Sequence, residues 1–374
     1  MDQKKRNTLL PLCFFLFLAA GALGLLFSPR QDYSEREKRY LAPAPDAGWD
    51  ALLEGRTQRE LEDWLSDHFP LRDFWVGVGA YLELAEGRNA QRAVYYGAEQ
   101  HLFRAPARAD GTQLVRNLER FDRFAEALDV PATLLAVPAS GYINDALLPF
   151  GHGDYPDEAV YTAAAELRHV ALLDPRDALA EANGTAEVYY RTDHHLTAWG
   201  SYALYSLLRQ RRGLDAVPAS AYAVTAYDGF CGTAWSAGGY WLVPPDSIEL
   251  WDAGAPATVT VYDGNGEPEA HAGLFYPEHL EELDKYPAYL DGNHPLTEVE
   301  NPEAEGGTLL ILKDSYAHCL TAFLASDYRR IVMADLRYYR GSVSDLAREK
   351  GADELLLVYG TENLLTDTNS AWLR

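Results

Sequence analysis

The stretch Leu309-Leu310-Ile311-Leu312-Lys313-Asp314-Ser315-Tyr316-Ala317-His318-Cys319-Leu320 leads on to Ile331-Val332-Met333-Ala334. It passes from an unbroken apolar run through a polar turn into a helical pattern, and then into a second apolar run. Short runs that are apolar at every position are buried on both faces, as strands are in a parallel sheet covered by helices. Outward from this stretch the same alternation recurs. Strands are expected at 133–137, 170–173, 308–312, 330–334 and 354–358, with helices at 111–127, 157–168, 198–210, 316–324 and 343–350. The chain therefore reads as an α/β domain: a parallel sheet with helices on both faces.

One interval breaks the alternation. Residues 213–307 are rich in Tyr, Trp, Gly and Pro and contain β-like pieces such as 257–262 before the turn Asp263-Gly264-Asn265-Gly266. This reads as an insertion beside the sheet. Trp235, Tyr240 and Trp241 within it offer flat faces on which a sugar could stack, or they are core.

The N-terminal end carries a different signal. Lys4, Lys5 and Arg6 precede an uncharged apolar run from Leu9 to Phe27, which reads as a transmembrane signal-anchor with its basic tip in the cytoplasm. Everything after it is then extracytoplasmic. Ala20-Gly21-Ala22 also resembles a signal-peptidase site, whose cleavage would make the protein secreted. The division expected is 1–28 as tip and anchor, 29–110 as linker and N-terminal helical segment, and 111–374 as the α/β domain with its insertion. The charged, Pro-rich residues 34–46 supply the linker, and two helices meet near Pro70 in WLSDHFPLRDFW. Asp67, His68, Arg72 and Asp73 at that break read as a salt-bridge cluster.

In open parallel sheets reactive groups sit beyond the carboxyl ends of strands. Ser315 follows such an end and enters a helix, where a hydroxyl is exposed and backbone N–H groups can stabilise an oxyanion; the alternative is that Asp314 or Ser315 only caps the helix. Upstream, Asp193 and His195 stand two apart, on one side of extended chain. The carboxylate can orient one imidazole nitrogen and leave the other as a base for a serine hydroxyl. Ser315, His195 and Asp193 are thus the candidate catalytic set. Tyr316, Arg337, Tyr338 and Asn363, also at the carboxyl edge, are candidate substrate or oxyanion contacts. A metal held by His194 and His195 is disfavoured because neighbours in extended chain face opposite ways, so neither metal nor cofactor is expected.

Lys and Arg total 32 against 56 Asp and Glu, a net charge of -24, and so negative a surface repels nucleic acid. The three cysteines, Cys13, Cys231 and Cys319, are too few for a disulfide scaffold. Cys231 and Cys319 are free thiols or, outside the cytoplasm, one bridge.

The run TDHHLTAWGSYALY (192–205), with LLILKDSYAHCLTAFLASDYRRIVMADLRYY (309–339) after it, resembles the bacterial DHHW proteins and, more distantly, the alginate O-acetylation proteins of the AlgJ and AlgX type. The resemblance extends to SEREKRYLAP, DHFPLRD, VYYGAEQHLF and FCGTAWSAGGYWLVPPDSIELW. Where the family name implies Trp after the two histidines, this chain has Leu196. The resemblance implies an SGNH-hydrolase-like, flavodoxin-like sheet and a nucleophilic serine far downstream of an Asp-x-His pair, which maps onto Asp193, His195 and Ser315. It also implies acyl, most simply acetyl, transfer to or hydrolysis from a cell-surface glycan, and a multipass membrane acyltransferase as partner. The competing expectation is a catalytically silent glycan-binding or scaffold subunit.

Overall fold

A computed structural model describes residues 3–27, 30–108 and 111–373, with the side chains of residues 3–10 outside the description. The orienting residues Lys4, Lys5 and Arg6, the 28/29 boundary and Asp110 at the 110/111 boundary therefore lie outside the described side chains. The chain forms two units, residues 1–91 with 236–242, and residues 92–235 with 243–374.

In the first unit the apolar N-terminal segment is helix α1 (Gln3–Phe27). Among the described residues no helix is long and apolar enough to cross a membrane. Helices α2 (Arg56–His68) and α3 (Arg72–Ala85) meet at Phe69-Pro70-Leu71, since Pro70 lacks the N–H that would continue α2. At the start of residues 34–46, read as linker, the chain pairs with itself: Tyr33–Ser34 lies antiparallel to Arg39–Tyr40. Arg39 is bound to the Asp67 carboxylate, Arg72 lies 2.7 Å from Glu37, and Arg36 lies 3.3 Å from Asp73. The charges at the helix break form ion pairs. Tyr240 is fully buried and the Trp241 indole N–H donates to the Asp73 carbonyl at 2.7 Å, so packing occupies both rings.

In the second unit eight strands form one sheet: β1 (Ala132–Val137), β2 (Ala171–Leu173), β3 (Thr258–Tyr262), β4 (Pro268–Ala272), β5 (Leu296–Glu300), β6 (Gly306–Lys313), β7 (Tyr328–Ala334) and β8 (Glu354–Gly360). Their order is β4-β3-β5-β7-β6-β8-β1-β2. The five strands read from the sequence, β7, β6, β8, β1 and β2, are mutually parallel. The insertion corrects the expectation of an all-parallel sheet with a separate appendage: β5, β3 and β4 extend it as antiparallel edge strands. The turn Asp263-Gly264-Asn265-Gly266 closes β3 onto β4, with the Asn265 and Glu267 N–H groups donating to Asp263 Oδ1.

Side chains alternate across each strand and build two cores. Leu134, Ala136, Leu310, Leu312, Leu355 and Leu357 face α4 (Thr112–Leu128), α5 (Asp157–Ala164), and the later helices α8 (Val343–Lys350) and α9 (Thr361–Thr366). Leu135, Val137, Leu309, Ile311, Leu356 and Val358 face α6 (Ala198–Arg211) and α7 (Ala317–Leu324). Helix α5 stops short of the expected Arg168 because the Arg168 and His169 N–H groups turn to Asp122 Oδ1, at 2.9 and 2.7 Å.

Candidate active site

Strand β6 ends at Lys313 and α7 begins at Ala317, leaving Asp314-Ser315-Tyr316 as the connecting turn at the carboxyl edge. Asp314 braces that turn. Its carboxylate accepts the Tyr316 N–H at 3.0 Å, the Gly360 N–H at 2.7 Å and the Asn363 side-chain amide at 2.7 Å, which ties the turn to the end of β8. Burial pushes the Asp314 carboxyl above its ordinary range against the pull of these donors. Because Asp314 serves the backbone, the Ser315 hydroxyl does not cap the helix; it lies 2.7 Å from His195 Nε2. The Ser315 backbone N–H has no acceptor among the described residues, which leaves it available to a developing oxyanion.

The other half of the site comes from the loop before α6. Tyr189 and Leu196 bridge across it, and Thr197 caps α6 by accepting the Gly200 N–H at 3.1 Å. Leu196, standing where the family name implies Trp, is buried in the core between sheet and α6. Between these fixed points Asp193 Oδ1 accepts both the His195 N–H, at 2.8 Å, and its ring Nδ1–H, at 2.5 Å. The Thr233 N–H donates to Oδ2 at 2.5 Å. With a hydrogen on Nδ1, Nε2 has its lone pair toward Ser315, the tautomer a base needs. Burial alone would raise Asp193, but His195 and His194 outweigh it and hold the carboxyl well below the usual carboxylate range.

Three further residues support this arrangement and were not legible as site residues. The Tyr286 ring stacks on His195 with centroids 3.9 Å apart and planes 14° off parallel, and its hydroxyl donates to the Ser315 carbonyl at 3.3 Å. Gly232 passes so close to the loop that a Cβ there would lie 2.3 Å from Asp193 Cβ and 2.4 Å from the Thr192 carbonyl. Asp246 takes the Thr192 N–H at 2.8 Å and its hydroxyl at 2.5 Å, fixing the residue before Asp193. The FCGTAW resemblance was the available signal for Gly232. Trp235 in the same motif donates its backbone N–H to the Thr192 carbonyl and is buried, so it is packing rather than an open stacking face.

The four candidate contacts have other partners. The Tyr316 hydroxyl donates to the His194 carbonyl at 3.0 Å, and its ring stands edge-on to His195 at 5.5 Å. Asn363 is committed to Asp314. Arg337 pairs with Asp335 at 2.6 Å and reaches Asn293 at 2.9 Å, while Tyr338 lies under its guanidinium, half-exposed. These assignments favour positioning roles over substrate contact. Asp335 is fully buried and also holds the buried Lys313 ammonium, at 3.1 Å, whose other contact is His318 Nε2 at 2.6 Å. Asp335→Ala strands both cations, and urea unfolding is expected to show a loss of about 3–5 kcal/mol.

The expectation that His194 and His195 face apart is overturned: their rings lie 3.9 Å apart, and donor atoms of Asp193, His194 and His195 fall within 4.8 Å of one another. In that arrangement Nδ1 of His195 serves Asp193, Nδ1 of His194 lies 2.7 Å from the Thr233 hydroxyl, and a cation would break the Asp193–His195 bond. Burial, with the His195 ring beside it, drives His194 down to about 3, so it is neutral in the fold. The unfolded chain protonates this residue near 6.5, so its contribution to stability is whole above that pH and falls by about 1.4 kcal/mol per unit below it. Relative to wild type, His194→Gln is expected to be about 2 kcal/mol better placed at pH 5 than at pH 7 in urea unfolding. Cys231 and Cys319 are buried and are not joined by a disulfide.

A cleft opens beside the site, with His194 and Tyr316 on its wall. It is lined further by Arg104, Ser140, Tyr155 and Glu362. Such crevices at the carboxyl edge of a parallel sheet are where ligands bind.

The fold is an α/β one, with Ser315, His195 and Asp193 brought within hydrogen-bond distance of one another in series at the carboxyl edge of its mostly parallel sheet. Residues 178–334, which include Asp193, His195 and Ser315, match the family model described as DHHW protein, in agreement with the resemblance in the sequence. Among solved structures the chain is similar to a DHHW family protein from Eubacterium siraeum DSM 15702, with TM-score 0.66 and 19% identity over 75% of this chain and 95% of that one. It is also similar to Bacillus cereus PatB1 with a sulfonyl adduct, TM-score 0.62 and 18% identity over 73% and 98%. A weaker likeness, TM-score 0.46 and 17% identity over 74% and 93%, is to the O-acetyltransferase domain of Pseudomonas putida AlgJ. No curated protein matches the sequence.

Proposed function

We propose that the protein is a membrane-anchored, extracytoplasmic O-acyl transferase or esterase, acetyl being the simplest acyl group, that acts on a cell-surface glycan. The observation that carries this reading is Ser315 Oγ at 2.7 Å from His195 Nε2 while Nδ1 of the same ring is held by Asp193. Ser315 Oγ attacks the ester carbonyl carbon as its proton passes to Nε2; the bond to the leaving oxygen breaks and that oxygen takes the proton from Nε2. The Ser315 N–H faces the carbonyl oxygen as it gains charge. A sugar hydroxyl, or water, then attacks the acyl-serine by the same steps reversed. The cleft beside His194 is the acceptor's place in this scheme.

Membrane attachment is supported by the basic residues ahead of the apolar run 9–27 and by the exposure of α1 side chains: Leu12, Phe14, Phe15, Leu16 and Phe17 are all more than half exposed. A multipass membrane acyltransferase as donor partner follows from the family resemblance alone.

The test is incubation of the full chain in detergent micelles with an activated acetyl ester, with and without oligosaccharides bearing free hydroxyls. Acetate release that yields to acetylated sugar when acceptor is added supports a transferase, and release unaffected by any acceptor supports an esterase. A folded protein that does neither removes the reading.

A further inference from the structure

We propose that the turn between α2 and α3, Phe69-Pro70-Leu71, with Phe74 and Trp75 of the following helical turn, is buried in the acyl chains of a lipid bilayer. The protein would then hold the membrane by two elements, α1 and this wedge. The proposal rests on the membrane reading of α1 and goes beyond it.

Three observations within the first unit carry it. The first is contact. The Phe17 and Trp75 rings meet edge-to-face at 6.2 Å; a Cβ on Gly21 would lie 3.4 Å from the Phe69 ring, and one on Gly24 would lie 2.4 Å from Pro70 Cγ. The turn and the helical turn that follows it therefore lie along residues 17–24 of α1, within the apolar run 9–27. At about 1.5 Å per residue that contact covers roughly 10 Å of helix, comparable to the depth at which amphipathic elements seat in a membrane interface.

The second is exposure. Leu71 is 75% exposed and Phe74 58% exposed, and Trp75 is exposed beside them, adjoining the uncovered side chains of α1. Apolar surface this continuous marks a contact with an apolar phase. Lipid is the occupant indicated because the patch adjoins the uncharged run 9–27 of α1, and because it joins aromatic and aliphatic residues next to charges that are already paired. Arg72 is held by Glu37 and Asp67, and Asp73 by Arg36, so the polar residues flanking the wedge enter the interface neutralised.

The third is strain. Leu71 has φ 59 and ψ 35, the left-handed region that favours glycine. In water a strained, exposed leucine gains nothing from its side chain. Placed in acyl chains the same side chain is buried, which gives a physical reason for leucine where glycine would fit the backbone better.

The experiment places the photo-crosslinking residue p-benzoylphenylalanine, one site at a time, at positions 15, 71 and 74 of the full chain in phosphatidylcholine–phosphatidylglycerol vesicles, with lipid adducts read by mass. Position 74 replaces one aromatic residue by another and keeps the test valid if the change at 71 disturbs the turn. Lipid adducts at 71 and 74 within about threefold of the yield at 15 are expected for a wedge at that depth. Adducts at 15 with none at 71 or 74 overturn the wedge and leave the anchor standing. No adduct at any position, from protein that fails to float with the vesicles, overturns the anchor and the wedge with it. A protein adduct at 71 or 74, to a partner or a second copy, overturns lipid as the occupant.

Discussion

Ser315→Ala is expected to fold as the wild type does and to lose acyl turnover by about 10⁴-fold or more, because the nucleophile is the one group no neighbour replaces. The change removes a single oxygen whose only described partner is His195 Nε2 at 2.7 Å. Stability should therefore move by about 1 kcal/mol at most, the net worth of one hydrogen bond. The turn itself is braced by Asp314, through Tyr316, Gly360 and Asn363, and none of these contacts involves the serine hydroxyl. Initial rates with an activated acetyl ester and urea unfolding of the same samples separate the two effects. Unchanged turnover in folded Ser315→Ala protein is incompatible with the proposed mechanism.

Asp193→Asn is expected to cost about 10³–10⁴-fold in turnover and, unlike the serine change, to cost stability as well. The carboxylate accepts three N–H groups, two from His195 and one from Thr233. An asparagine offers one oxygen, so its NH2 meets either the Thr233 N–H or a His195 N–H, and a buried donor goes unsatisfied at about 1–3 kcal/mol. The His195 ring also loses the acceptor that keeps hydrogen on Nδ1; the other tautomer presents N–H to Ser315 and cannot take its proton. The sign with pH follows from the depressed carboxyl. Its contribution is present above the ordinary value of about 3.9 and fades as pH falls through the lower folded value, so the wild-type advantage over Asp193→Asn shrinks in acid. Equal urea midpoints for the two proteins at pH 7 would contradict this account of Asp193.

Much of the architecture was legible because β1, β6, β7 and β8 are apolar at nearly every position, the pattern of strands covered on both faces. The edge strands were harder to read. In β5, Glu298 stands in a strand yet is buried, accepting from the Tyr262 hydroxyl at 2.8 Å and lying 2.8 Å from Lys350 Nζ, so no apolar run advertises it. An insertion that looked separate thereby extends the sheet. At the site, the Asp193–His195 relation is local, two residues apart, and period-two geometry foretells it. The approach of His195 to Ser315 spans 120 residues and depends on where the loop before α6 is pinned. Gly232 and Asp246 pin it, and neither shows its purpose in the sequence because each acts through Thr192 or the Asp193 Cβ, contacts made only in the folded chain. Tyr286 lies in the insertion, where aromatic residues are too frequent for one to stand out. Conversely, Arg337 and Asn363 sit at the expected carboxyl edge but hold Asp335 and Asp314, because buried carboxylates need partners before any substrate arrives.

The most direct measurement is a covalent one. PatB1, which shares this fold, is described with a sulfonyl adduct. The full chain in detergent micelles, treated with a sulfonyl fluoride and in parallel with an activated acetyl ester, is digested and its modified peptide located by mass. A single adduct is predicted on Ser315, formed by both reagents and at least about 10³-fold more slowly in His195→Ala protein, whose serine has lost its base. No adduct, or an adduct on another residue, from protein shown to be folded, would contradict a nucleophilic Ser315.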